Sequence, residues 1–273
     1  MIVAYVRGDG LGHLTRLRAF LHTLGRAGEP VTLLTASTYA TDPRVIAGYE
    51  VVRAPGDLDR TGLARWTAAT LADLAPDELV VDAFPAGLRG ELTAASVSGA
   101  ARVVHLARLL RWDAYRPLLP ADPPRFDRTY VLEPLAAEHL AHVRAHSAET
   151  APLELSEPPV ACPAASPGGW LVVHAGPEGE VQELLRYARD MAALENVRPR
   201  LTLVSPRRPA HLPGDVGHLD VYPAWPLFAQ AERVITAAGF NAVRQLAPWR
   251  DRHRMLPFPR SLDDQFTRAA RHR

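Results

Sequence analysis

Short runs of valine, isoleucine and leucine recur along the chain, and between them the apolar positions repeat at three- and four-residue steps. Continuous apolar runs suit strands buried on both faces, and the longer repeat is one face of a helix. In the first half this pattern predicts strands over residues 2–6, 31–35, 50–52, 79–82, 103–106 and 129–132. Leu14, Leu17, Leu21 and Leu24 mark the first helix. In the second half Val181, Leu184, Leu185, Ala188 and Met191 mark another, with strands predicted over 170–174, 201–204, 219–222, 233–236 and 254–257. Strands alternating with helices in this way build parallel sheets.

Between the halves, Pro152, Pro158, Pro159, Pro163 and Pro167 precede Gly168-Gly169. Proline lacks an N–H and fixes φ, so this density does not fit a helix or a central strand. The reading is a linker over 151–169 joining α/β domains at 1–150 and 170–273. Each domain is long enough to bury a core. Two doubly wound, Rossmann-like domains facing each other would hold a ligand between them, at the strands' carboxyl ends.

Composition narrows the function. With 47% hydrophobic and 22% charged residues the chain reads as globular, and no apolar run approaches the roughly 20 residues of a membrane span. It opens directly into a strand without signal-peptide features, so the expected location is cytoplasmic. The lone Cys162 excludes an intrachain disulfide. A net charge of +1 gives no reason to expect nucleic acid as a partner. The basic residues are all arginine, which excludes Schiff-base and P-loop lysine chemistry.

Four strand-to-helix loops carry candidate chemistry. Gly8-Asp9-Gly10-Leu11-Gly12-His13 follows the first strand, where Gly10 and Gly12 would let backbone N–H groups approach an anion or a sugar. Its G-x-G-x-G-H spacing departs from the dinucleotide fingerprint, and the second strand ends in Thr35 with no ribose-binding acid. His13, on the first helical turn, is a candidate general base; a tight turn with an incidental histidine is the structural alternative. Asp82 ends the strand at 79–82 and could orient that imidazole, or serve only as a turn aspartate beside Pro85. The third loop, His174-Ala175-Gly176-Pro177-Glu178-Gly179-Glu180, suits diphosphate binding through Gly176. Against this, Glu178 and Glu180 should repel phosphate and Pro177 removes a donor.

The fourth block runs from Arg233 through Gly239-Phe240-Asn241 to Arg244-Gln245, then Met255-Leu-Pro-Phe-Pro259 and Asp263-Asp264-Gln265-Phe-Thr-Arg268-Ala269. It resembles the C-terminal signature of family 28 glycosyltransferases, the family of the peptidoglycan N-acetylglucosaminyltransferase, and Gly8 to His13 resembles that family's N-terminal loop. The resemblance implies a GT-B fold and a nucleotide diphosphate-sugar donor, a UDP-sugar in the first instance. It implies no required metal or other cofactor, and places the donor on the second domain and the acceptor on the first. Gly239, Phe240 and Asn241 would approach the diphosphate, and Asp264 and Gln265 the donor sugar. The family's ribose-binding glutamate falls on Gln245, which still offers a hydrogen bond, and its N-A after D-Q-x-x is Arg268-Ala269. Relatives continue beyond the position of Arg273 with helices that return to the first domain. In the related plant and animal UDP-glycosyltransferases a loop histidine is the base and an aspartate pairs with it, which His13 and Asp82 match in kind. Asp57-Leu58-Asp59, which could pass for a GT-A metal motif, reads instead as a solvated loop.

The function these readings imply is metal-independent transfer of a hexosyl or N-acetylhexosaminyl group to an acceptor hydroxyl. A nucleotide-sugar hydrolase on the same fold and a non-catalytic nucleotide-sugar-binding subunit are the alternatives. The apolar, basic segment from Leu106 to Trp112 raises a lipid-linked acceptor, met at the inner membrane face. A buried helix with snorkelling arginines would explain that segment equally.

Overall fold

The computed structural model describes residues 1–8, 10–161 and 168–272; Asp9, Cys162, Pro163 and Pro167 lie outside them. The chain forms two compact units, Met1–Pro158 with Ser261–Asp263, and Pro159–Arg260 with Asp264–Arg273.

In the first unit a sheet carries β1 (Ile2–Val6), β2 (Val31–Thr35), β3 (Glu50–Arg53), β4 (Glu78–Ala83), β5 (Val103–Ala107), β6 (Phe126–Val131) and β7 (Ser147–Pro152). Its order is β3-β2-β1-β4-β5-β6-β7, every neighbour parallel. Every residue of β1, β2, β4 and β5 is buried, as their unbroken apolar runs require. The connections carry α1 (Leu11–Thr23), α2 (Pro43–Ile46), α3 (Arg60–Leu74), α4 (Ala94–Val97), α5 (Trp112–Tyr115) and α6 (Ala137–Ala145). The Asp59 side chain caps α3 by accepting from the Gly62 N–H at 2.6 Å.

The second unit repeats the plan with β8 (Trp170–Val173), β9 (Leu201–Val204), β10 (Val216–Leu219), β11 (Arg233–Ala237) and β12 (His253–Leu256) in the parallel order β10-β9-β8-β11-β12. α7 (Glu178–Leu194) presses Val181, Leu184, Leu185 and Ala188 onto one face of that sheet. The other face packs against Leu227, Phe228 and Leu246. The short helices α8 (Phe240–Gln245) and α9 (Gln265–Ala270) follow β11 and β12.

Three sequence expectations need correction. β7 was not foreseen, and it takes in the first part of the predicted linker. Its Ser-Ala-Glu-Thr-Ala-Pro sequence is polar because it is an edge strand, where the terminal Pro152 has no outer neighbour to serve. The strand expected over 219–222 lies at Val216–Leu219, with Val216 turned into the core. The segment from Leu106 to Trp112 enters a helix only at its last residue and is not exposed apolar surface. It is the end of β5 and the loop into α5, and Leu106, Leu109, Leu110 and Trp112 are core residues.

Buried histidines are expected to make the fold acid-sensitive. His105 stacks on Phe126 at 4.9 Å, His139 on Trp112 at 4.4 Å, and His253 Nε2 lies 2.8 Å from Thr236 Oγ1. Burial holds them neutral, pushing His105 and His253 down to about 4 and His139 to about 3. In the unfolded chain they take up protons near pH 6.5. The stability from their neutral forms is therefore complete above about pH 6.5 and drains away as pH falls towards 4. Thermal melting is expected to show Tm dropping steadily between pH 6.5 and 4.5, and a flat profile there would contradict this assignment.

Candidate functional site

Strand order reverses between β1 and β4 in the first unit, and between β8 and β11 in the second. Open α/β sheets bind ligands outside the carboxyl ends of the strands at such reversals. The sequence-predicted residues fall at these two points, except Asp264 and Gln265, which follow the edge strand β12.

In the first unit, the loop after β1 brings His13 to Asp82 at the end of β4, with His13 Nδ1 2.6 Å from Asp82 Oδ2. The dyad read from the sequence is thus a direct contact across 69 residues of chain. The structure adds a third member. Arg16, one turn along α1, donates from Nε to Asp82 Oδ1 and from Nη2 to Oδ2, both at 2.6 Å. Residues three apart on a helix share a face, so Arg16 was findable from the position of His13.

Electrostatics fixes the protonation pattern. Burial alone would raise the Asp82 carboxyl, but Arg16 and His13 outweigh it and hold the group well below the usual carboxylate range. An ionised Asp82 only accepts, so Nδ1 must carry the imidazole proton and donate it. Arg16 Nη2 also lies 3.1 Å from Nδ1, a close approach of two donors, with no lone pair to accept once that nitrogen is protonated. His13 itself is pushed below its ordinary value, by burial first, against the pull of Asp82 and with Arg16 and Arg108 adding to the fall. The imidazole is therefore neutral near pH 7, with Nε2 as its basic atom.

Gly8 makes room for that atom. It sits at φ +154°, and a Cβ built there would lie 2.3 Å from His13 Nε2. The chain needs glycine at position 8 for steric reasons. Gly10 is different: it caps α1 with φ −86°, and a Cβ would meet only the Gly12 nitrogen, at 4.0 Å. Beyond Asp82, Ala83 takes the left-handed value φ +66°, a local strain that turns the chain sharply at the end of β4. Phe84 then packs 5.9 Å from the His13 ring and 5.6 Å from Tyr115, with the Arg108 guanidinium over its face at 5.6 Å. Arg108 is ion-paired to Asp263, which belongs to this unit by its packing.

The second unit repeats the grouping. His174 Nε2 lies 2.9 Å from Glu180 Oε2, and Arg260 clasps the same carboxylate with Nη1 on Oε1 and Nη2 on Oε2, each at 2.5 Å. Glu180 was expected to repel phosphate. Burial would raise its carboxyl, but His174 and Arg260 hold it down at about 2, and its charge is balanced by Arg260. Glu178 turns to His211, accepting from its backbone N–H at 2.9 Å. Gly176 stands to His174 as Gly8 does to His13, since a Cβ there would lie 2.4 Å from His174 Nε2.

After β11, Gly239 caps α8 at φ −73°, with nothing within 4 Å of an added Cβ, so the fold itself does not demand glycine there. Phe240 is buried beneath the Arg244 guanidinium at 5.9 Å; Asn241 and Gln245 are partly buried on the same short helix. Asp264 caps α9 by accepting from the Thr267 N–H at 2.9 Å, and the buried Gln265 accepts from the Phe258 N–H at 3.0 Å. Arg268, where the resembled family has asparagine, donates to the Ala238 carbonyl at 3.0 Å and so pins the turn before Gly239. Among the described residues no group of three or more His, Cys, Asp or Glu gathers where it could hold a metal ion, and no helix is long and apolar enough to cross a membrane.

No family model matches the chain, and no curated protein matches it in sequence. Solved structures do resemble it. The kitacinnamycin glycotransferase is 17% identical with a TM-score of 0.58, covering 99% of this chain and 83% of its own. The spinosyn rhamnosyltransferase SpnG, in complex with thymidine diphosphate, is 15% identical with a TM-score of 0.56, covering 100% and 84%. The glycosyltransferase SnogD from Streptomyces nogalater is 16% identical with a TM-score of 0.52, covering 90% and 78%. At these identities the likeness speaks for architecture, and the two parallel-sheet units form the two-domain, Rossmann-like GT-B fold.

Proposed function

We propose that the protein transfers a sugar from a nucleoside diphosphate donor to an acceptor hydroxyl without a metal ion. The observation that carries this reading is the 2.6 Å contact between His13 Nδ1 and Asp82 at the point where the first sheet's strand order reverses. It leaves a neutral imidazole with Nε2 as base. His13 Nε2 takes the proton as the acceptor oxygen attacks the anomeric carbon. The bond from that carbon to the diphosphate breaks, and its electron pair leaves with the phosphate. Asp82 then faces a newly formed imidazolium and stabilises it.

The second unit receives the donor. Backbone N–H groups after Gly239, with Phe240 and Asn241, and those of the loop around Gly176, lie on the sheet edge suited to the diphosphate. Gln245 is assigned to the ribose. Asp264 and Gln265 face the sugar with the atoms left over from their loop bonds, the second carboxylate oxygen and the amide Nε2. Gly10 and Gly12 bring backbone close to the substrate in the first unit.

The family 28 resemblance favours uridine as the nucleoside, whereas one structural neighbour was crystallised with thymidine diphosphate. Both are pyrimidines, and both belong in the first screen. The same neighbour has been crystallised with the spinosyn aglycone. The 106–112 segment buries its apolar side chains in the core and offers none of them to a lipid, so a compact hydroxylated acceptor is the stronger candidate.

A thermal-shift screen of nucleoside diphosphates and their sugars is the direct test. Ligand at about a hundred times its Kd stabilises by roughly 2.7 kcal/mol, a readily measured rise in Tm. A rise with uridine or thymidine diphosphate is expected, followed by turnover that depends on an added hydroxyl acceptor. Absence of any rise would remove the donor reading, and free sugar released at full rate without acceptor would make the protein a hydrolase.

A further inference from the structure

A departing diphosphate carries at least two negative charges, and something must balance them. α8 is a single turn and a half, residues 240–245, and its cap Gly239 offers no side chain. Its backbone amides give hydrogen bonds but little fixed charge. Of the arginines at this helix, Arg244 lies over Phe240 and Arg268 is engaged with the Ala238 carbonyl; further polar groups come from the loops after β8 and β12, the two strands that flank β11 in the sheet. Those loops carry His174 and Arg260.

Both are gathered on one carboxylate. Arg260 presents its fork to the two oxygens of Glu180, and His174 Nε2 shares Oε2. Both also lie against the same ring, His174 at 5.9 Å from the Phe258 centroid and the Arg260 guanidinium at 5.7 Å. Glu180 is thus an internal anion held in a cradle of guanidinium, imidazole and aromatic ring. A guanidinium fork fits a phosphate as it fits a carboxylate, and makes charge-assisted bonds to either. The Arg260 side chain is 31% exposed, whereas those of Glu180 and His174 are 15% and 8% exposed. Arg260 is the member that could exchange partners with the least unburying.

We propose that Arg260 is a diphosphate-binding residue of the second unit, and that Glu180 holds its guanidinium until a nucleoside diphosphate takes the place of the carboxylate. This rests on the donor reading above and adds to it the charged group that answers the phosphates. It also gives Glu180 a defined cost. While the carboxylate holds Arg260, only the fraction of molecules with the fork released binds at full strength, and the apparent affinity falls by that fraction.

The rival reading is a structural strap tying the two loops together, and the two make opposite demands on the pair. If the bridge only ties loops, removing either partner damages the same thing, and both variants lose affinity. If the partners compete for Arg260, the two variants move apart. Calorimetric titration with uridine diphosphate and thymidine diphosphate is expected to show Arg260→Met weakening binding about ten- to hundredfold, the loss of charge-assisted hydrogen bonds. Glu180→Gln, which keeps the shape but not the charge, is expected to tighten binding by about two- to tenfold. Arg260→Lys, a cation without the fork, should fall between wild type and Arg260→Met. Each titration is run below the variant's own melting temperature, so that folded protein is compared with folded protein. Parallel losses in Arg260→Met and Glu180→Gln would overturn the proposal, as would unchanged affinity in Arg260→Met. Failure of the wild-type protein to bind either diphosphate would instead bring down the donor reading beneath it.

Discussion

His13→Ala is expected to cut kcat by roughly 10²–10⁴-fold with donor affinity nearly unchanged, the range a positioned general base supplies. The expectation follows from where His13 stands. Its Nδ1 is committed to Asp82, and its Nε2 lies against Gly8, where any Cβ would come within 2.3 Å of it. Donor binding is assigned to the other unit, so the loss should appear in turnover. Asp82→Asn should lower kcat by less, because Asn can still hold the ring while failing to stabilise the imidazolium. Combined with His13→Ala, it should add little more, since an orienting partner has nothing left to orient. Gly8→Ala is the steric counterpart: a methyl against Nε2 should displace the ring and mimic much of the His13→Ala loss. Full turnover in His13→Ala would remove His13 as base. Losses that simply multiply in the double variant would leave the base but dissolve the dyad.

Why His13 and Asp82 were legible in the sequence, and their neighbours less so, has a physical reason. Both lie at the carboxyl ends of strands that announce themselves by unbroken apolar runs, so strand prediction located them. Two buried parallel strands then sufficed to put a loop histidine and a strand-end aspartate on one edge. Arg16 was visible in principle through its helical spacing from His13, but nothing local said that its guanidinium would turn inwards. The Glu180–Arg260 pair spans 80 residues, and only the fold brings it together. Read locally, Glu180 looked like an obstacle to phosphate because its counter-charge was out of view. Arg268 misled in the opposite sense, as a departure from a family pattern that proves to anchor the Ala238 turn. The fold showed the same division. Central strands such as β1 and β4 followed from composition alone, while β7, polar because it is an edge, passed for linker. β10 was displaced by three residues because its Val-Gly-His-Leu run is no more apolar than the Leu-Asp-Val-Tyr that overlaps its end.

Arg16→Met is the substitution with the largest expected cost to stability, and it also separates support from chemistry. Asp82 has no exposed side-chain surface and Arg16 only 3%, so their bridge is a buried one. A buried pair contributes little compared with an apolar replacement of both partners, but removing one partner strands the other. Loss of Arg16 is therefore expected to cost about 3–5 kcal/mol at neutral pH. The pH dependence has a definite sign. The low-lying Asp82 carboxyl gives stability that is present above its unfolded value near 3.9 and is lost as pH falls below it. Much of that depression comes from Arg16, so the gap between Arg16→Met and wild type should narrow below about pH 4. The chemical consequence runs through His13. Arg16 opposes the imidazolium directly and also balances the charge of Asp82. Without it, Asp82 acts on His13 alone, the imidazole becomes easier to protonate, and the acid limb of the kcat/KM profile should move to higher pH. A residue that merely braces the loop would lower stability without moving that limb. Melting curves and pH–rate profiles of Arg16→Met, taken at a temperature where the variant is folded, distinguish the two. An unmoved acid limb would reduce Arg16 to a brace, and an unchanged melting temperature would mean that the bridge is not the buried pair described above.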